Sequence, residues 1–231
     1  MARLPRLAVA GQVHLVQLRG HGGRQVFMDD VDRRAFLSAL RTACENERVA
    51  VHAYALLPGA VWLLLSPASA EGIGRAIQSL GRGFSASFNR RHGRSGSLWD
   101  GRHRSSVIEA GEPVLWAMVF VDQASMREGL AIDVSADEWS SAGQHAGFVS
   151  RFALTDAASY WLLGNTPFER SAAYAVLVNE RLADAWVEQL SAAVRRGWPI
   201  GSPMFLDALK RVTPRPVEPR PRGRPRKNAA A

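Results

Sequence analysis

Cysteine is nearly missing from these 231 residues: Cys44 stands alone, which excludes an internal disulfide framework and any zinc cluster built on thiolates. It falls among Phe36, Leu40 and Ala43, apolar positions of one helical face, where a thiol is expected to be buried and unreactive and a reducing cytoplasm suits it. Long apolar runs are missing too. Nothing approaches the roughly 20 residues needed to cross a bilayer, and Arg3, Pro5, Arg6, Gly11 and His14 break up the N-terminus, so neither signal peptide nor membrane anchor is expected. Tyrosine is scarce, at three residues: Tyr54, Tyr160 and Tyr174. The six histidines (His14, His21, His52, His92, His103 and His145) include no His-x-His or other close chelating pair.

Apolar residues are present in the amount a folded chain needs: 47% of the sequence is hydrophobic, enough for one substantial domain with a helical extension. The net charge is +8, and its location matters more than its size. Residues 211–231 hold six arginines and Lys227 against the single acid Glu218, a net +6, which leaves +2 for residues 1–210. Pro214, Pro216, Pro219, Pro221 and Pro225 deny that stretch regular helix or central strand, so it reads as a disordered basic tail. Within it Arg222-Gly223-Arg224-Pro225-Arg226-Lys227 resembles an AT-hook. Glycine permits close backbone approach, proline limits the entropy lost on binding, and a narrow A·T minor groove attracts arginine. The same cations could instead serve as a solubilising tail or bind any nucleic acid through its phosphates.

Period-two alternation over Val13 to Arg19 predicts a strand, ended by Gly20, Gly22 and Gly23. Asp29 and Asp30 suit the start of a helix to about Asn46, whose apolar face is Phe36, Leu37, Leu40, Ala43 and Cys44. Strands at about Val49–Leu57 and Val61–Ser66 flank Pro58-Gly59 and form a hairpin. Ile73, Ile77, Leu80, Phe84 and Phe88 recur at helical spacing up to Arg90, with Arg75 and Arg82 on another face. A glycine-rich connector from Gly93 to Arg104 leads to a short apolar segment and a helix with Pro113 in its first turn. This order predicts an α+β fold: a small antiparallel sheet with helices packed on one face, spanning residues 1–150. Residues 151–210 read as a helical appendage, with a capping box at Thr166 to Glu169 and Gly197 as a helix terminator.

Several spaced segments together resemble the REP-associated tyrosine transposases, of the wider HUH single-tyrosine, IS200-like group. They are Arg6 to Gly20, Phe27-Met28-Asp29-Asp30, His52-Ala53-Tyr54, Ser97-Leu98-Trp99-Asp100-Gly101-Arg102, Glu138-Trp139-Ser140-Ser141, Gly197-Trp198-Pro199-Ile200-Gly201 and the Gly-Arg-Pro-Arg-Lys ending. The resemblance implies a ferredoxin-like fold and single-stranded DNA chemistry, in which a His-hydrophobe-His pair on a strand holds a divalent metal such as magnesium or manganese. A helix-borne tyrosine attacks the phosphodiester. Residues i and i+2 of a strand share a face, so both imidazoles reach one metal. Aligned on Tyr54 to Leu65, the two histidine positions hold Ala60 and Trp62. Aligned on Arg127, Gly129 and Leu130, the nucleophile position holds Phe120, and the polar position one turn later holds Ala124. None of the four side chains can ligate a metal or attack phosphorus.

The expectation is therefore a catalytically inactive, cofactor-free DNA-binding protein, cytoplasmic and nucleoid-associated, that recognises hairpin or single-stranded DNA. Candidate contacts are Arg75, Arg82, Arg90, Arg91, Arg94, Arg102 and Arg104, with Trp99 as a stacking surface and the tail gripping adjacent A·T-rich duplex. Two alternatives stay open: an active transposase whose missing groups are relocated or supplied by a partner, and a protein-interaction subunit using Trp161, Trp186 and Trp198. Charge alone does not separate DNA from RNA.

Overall fold

The structure, a computed structural model, describes residues 5–133 and 137–219. Four antiparallel strands, β1 (Val13–Arg19), β2 (Val49–Leu57), β3 (Ala60–Pro67) and β4 (Arg104–Ile108), form one sheet in the order β2-β3-β1-β4. Pro58-Gly59 turns β2 into β3, which sets Leu57 against Ala60 and Ala55 against Trp62. The register shifts between Val51 and Ala53. This bulge reverses the alternation of β2, so that Val51 and Tyr54 face one layer while Ala53 and Ala55 face the other. His52 is held at that irregularity, with Nδ1 2.7 Å from the Thr155 carbonyl and Nε2 2.7 Å from Ser66 Oγ.

Both faces of the sheet are buried. On one lie α1 (Asp30–Asn46) and α2 (Gly72–Arg91), whose Phe36, Leu40, Ile77, Leu80 and Phe84 pack on Val16, Leu18, Val61, Leu63 and Leu65. Asp29 caps α1 by accepting the Asp32 N–H at 3.1 Å. The end of α2 is clamped to the start of α1, since Arg91 pairs with both Asp29 and Asp32 and His92 Nε2 lies 3.0 Å from Asp32.

The other face carries Leu15, Ala53, Ala55, Trp62 and Leu64. The expectation of helices on one face describes α1 and α2; a second helical layer covers the opposite side. It begins with α3 (Glu112–Asp122), which is apolar nearly all round because it lies between the sheet and outer helices. After α4 (Ala124–Arg127), α5 (Ala142–His145) and α6 (Ala158–Trp161), the layer is completed by α7 (Pro167–Asn179) and α8 (Asp184–Arg196), which bury Tyr174, Val178, Leu190 and Val194. The Thr166–Glu169 capping box is formed, and Gly197 ends α8 at φ 74°.

Both margins of the sheet are occupied by the chain's own loops. Beyond β4, Ile200 donates to Val107 at 2.9 Å and accepts from Glu109 at 2.8 Å. Beyond β2, Leu56 donates to Trp139, and Tyr54 and Val51 accept from Ser141 and Thr155, at 2.8, 2.9 and 2.8 Å respectively. Residues 211–219, read in the sequence as the beginning of the basic tail, are among the described residues. Helix α9 (Pro203–Val212) is capped by Ser202, and beyond it Arg215 and Val217 are buried, Val217 with Leu7, Val107 and Leu209. Prolines 214 and 216 rule out helix there but not packing. Among the described residues no helix is long and apolar enough to cross a membrane.

Candidate nucleic-acid interface

The four positions that the resemblance singles out lie in one apolar cluster. Trp62 of β3 meets Phe120 of α3 edge-on, with ring centroids 5.0 Å apart and planes at 89°. Ala124 is buried in the same cluster and Ala60 packs against it. The guanidinium of Arg127 lies 4.0 Å over the Phe120 ring, its Nη1 buried without a hydrogen-bond partner. Burial pulls its pKa down to about 10, so it remains a cation at neutral pH. The donor set a divalent metal needs is absent from these side chains: methyl, indole and phenyl groups offer no available lone pair, and the charge stacked on the Phe120 ring is that of Arg127, a cation. Among the described residues no group of three or more His, Cys, Asp or Glu side chains could hold a metal ion.

Behind this cluster Asp122 is completely buried and organises a polar network that joins four helices, α3, α5, α6 and α7. It accepts from Ser141 Oγ, and from the Tyr174 hydroxyl at 2.7 Å, with His145 Nδ1 also at 2.7 Å. Tyr160 donates to the His145 carbonyl at 2.8 Å. Burial first, and then the Asp122 charge, push the Tyr174 hydroxyl well above its ordinary pKa. Tyr54, Tyr160 and Tyr174, all the tyrosines of the chain, are buried at 1%, 6% and 0% exposure. All three are core side chains, although Tyr54 also lines an open cavity of about 460 Å³ with Arg34, Arg41 and Arg151.

An open groove of about 600 Å³ lies elsewhere, between α2 and the glycine-rich connector. Arg19 from the end of β1, Arg82 from α2 and Arg102 from the connector line it, and among the described residues Asp100 is its one acid. The connector is fixed by backbone bonds from His21 to the Leu98 carbonyl at 2.9 Å and from Asp100 to the Arg19 carbonyl at 2.8 Å. Trp99 packs on Phe36 and Phe84, each at 6.1 Å, and is among the residues that line the groove. Among the described residues, Arg19, Arg82 and Arg102 form no salt bridge. His103, between Arg6 and Arg102, is lowered to a pKa of about 3 by burial and then by those charges, so it is neutral.

The expected arginines thus separate into groups. Arg82 and Arg102 share the groove, where Arg19, missed in the sequence, joins them. Arg104 lines a second cavity together with Arg102. Arg75 pairs with Glu47 at 2.9 Å, and Arg91 with Asp29 and Asp32, so both are neutralised by neighbouring acids. Arg90 is exposed near the end of α2, and Arg94 lies 5.5 Å over the Phe88 ring. Arg222, Gly223, Arg224, Pro225, Arg226 and Lys227 lie outside the described residues.

The architecture is that of an α+β domain with a four-stranded antiparallel sheet between helical layers. No protein-family model matches the chain, and no curated protein matches it. Among solved structures it is similar to a REP-associated tyrosine transposase bound to a REP hairpin, with a TM-score of 0.53 and 13% identity over 69% of this chain and 96% of that one. At that identity the likeness is one of fold.

Proposed function

We propose that this protein binds DNA, in hairpin or single-stranded form, on a transposase-like scaffold and does not cut it. The observation that carries the reading is the groove, in which Arg19, Arg82 and Arg102 converge on an open surface without salt-bridge partners among the described residues. Guanidinium groups in that state release counterions when they meet phosphates, which makes binding favourable and salt-dependent. The fold shared with a hairpin-bound transposase supports the same reading. The absence of cleavage is supported by the chemistry of the Trp62–Phe120 cluster, which offers neither a metal ligand nor a nucleophile, and by the burial of every tyrosine. The divalent metal implied by the resemblance does not fit these residues.

The test is a salt-titrated binding assay of the full chain against hairpin, single-stranded and A·T-rich duplex DNA and matched RNA. The groove variant Arg82→Gln/Arg102→Gln is compared with the tail variant Arg222→Gln/Arg224→Gln/Arg226→Gln. Hairpin preference that the groove variant loses and the tail variant keeps is the expected result. A preference that depends wholly on the tail overturns the groove assignment. Incubation with labelled DNA and magnesium or manganese tests the chemistry, and a denaturation-resistant adduct would refute inactivity.

A further inference from the structure

A second cavity, of about 260 Å³, opens where β4, the end of α8 and the segment after α9 meet. Six arginines line it, Arg6, Arg102, Arg104, Arg195, Arg196 and Arg215, and among the described residues no carboxylate does. Arg102, Arg104, Arg195, Arg196 and Arg215 form no salt bridge among the described residues. Arg215 is only 7% exposed, stacked at 5.2 Å over the Trp198 ring, and donates from Nη2 to the Gly197 carbonyl at 2.6 Å. Its Nε and Nη1 are buried with no acceptor. Buried charged donors without acceptors are disfavoured, and so is a cluster of like charges; an anion with several oxygens seated in the cavity offsets the clustered charge.

A purely structural account covers part of this. Arg195 and Arg196 stand in the last turn of α8, where they complement the negative end of the helix, and Arg215 caps that end through Gly197. It leaves two Arg215 nitrogens unanswered and gives no reason for Arg102 and Arg104 on the facing wall.

We propose that this cavity is a phosphate-binding site adjoining the groove, with Arg215 as its fixed, buried cation and Arg102, Arg104, Arg195 and Arg196 as the surrounding cations. The ligand class is a phosphate monoester or pyrophosphate group. It can come from the end of a DNA strand lying in the groove, because Arg102 and His103 line both cavities, or from a free nucleotide. Burial lowers the Arg215 pKa, in keeping with a guanidinium enclosed by protein without a counter-charge.

The experiment is calorimetric titration of the full chain with inorganic pyrophosphate at constant ionic strength. Saturable binding is expected, weakened about tenfold or more by Arg104→Gln and by Arg215→Met, and unchanged by the exposed control Arg24→Gln. Arg104→Gln keeps the test valid if Arg215→Met fails to fold. No saturable binding, or equal weakening by all three variants, would overturn the site. A 5′-phosphorylated strand and its 5′-hydroxyl counterpart then separate the sources: a preference for the phosphorylated strand that Arg104→Gln abolishes assigns the strand end, and equal binding of the two assigns a free phosphate compound. Pyrophosphate binding is read without DNA, so its failure is distinct from failure of the groove.

Discussion

The edge of one ring, Trp62 or Phe120, meets the face of the other at 5.0 Å, and this contact joins the middle of the sheet to the helix packed across it. Trp62 is 8% exposed and Phe120 1%, so the pair is part of the core. Trp62→Ala is expected to destabilise the fold by about 3–5 kcal/mol and Phe120→Ala by a similar amount, with a coupling of about 0.5–1.5 kcal/mol in the double-mutant cycle. Denaturant unfolding of the four proteins measures it. Phe120→Tyr alone is expected to give no covalent DNA adduct, because the added hydroxyl would stand beside Ala60 and Trp62, neither of which ligates a metal.

The Asp122 network is a second place where one substitution has a large effect. Asp122→Ala removes the acceptor for Ser141 and Tyr174 and the partner of His145, all buried, and is expected to cost about 3–5 kcal/mol. Tyr174→Phe removes a single donor and is expected to cost about 1–3 kcal/mol. Equal and small effects in equilibrium unfolding would show the network to be dispensable.

Acid sensitivity should come partly from His14. It is buried, with Nε2 placed to accept from the Val9 N–H at 3.3 Å and Nδ1 2.8 Å from the Gln12 carbonyl, an arrangement that suits the neutral ring. Burial lowers its pKa to about 4. The unfolded chain, with an ordinary histidine near 6.5, takes up a proton that the folded chain refuses. Stability is therefore full above about pH 6.5 and falls as pH drops toward 4. His14→Gln should flatten its share of that slope between pH 7 and 4, measured by urea unfolding.

Salt dependence separates the groove from the tail. Removing one phosphate-binding cation should reduce the slope of log K against log salt by about 0.7 for a single strand and 0.9 for duplex. Substituting Arg222, Arg224 and Arg226 should flatten the slope on every substrate, whereas Arg82→Gln and Arg102→Gln should change the ranking of hairpin over duplex. A fluorescence anisotropy series from about 50 to 300 mM salt, spanning the physiological range, distinguishes the two patterns.

Local signals account for most elements. Pro58-Gly59 marks the hairpin, Thr166 to Glu169 the start of α7, and the Phe36, Leu40, Ala43 and Ile73, Ile77, Leu80, Phe84 spacings the buried faces of α1 and α2. The second helical layer is harder to read, although the unbroken apolar run from Val61 to Leu65 is what a strand buried on both faces shows. The convergence of Trp62, Phe120 and Ala124 is legible only through the resemblance, since they are remote in sequence. Charge is legible but pairing is not: nothing local says that Arg91 answers Asp29 and Asp32 from the far end of α2, or that Arg215 turns inward. Likewise Arg19 reaches the groove only because β1 ends beside the connector.

The loops along β2 and the Trp198–Ile200 segment along β4 have a consequence for association. Exposed strand edges are templates for another chain, and here the outer strands already hold partners within the same molecule. Pairing of this sheet with that of a second copy would first require Trp139, Ser141 and Thr155, or Ile200, to let go. Self-assembly through a continuous intermolecular sheet is thereby disfavoured.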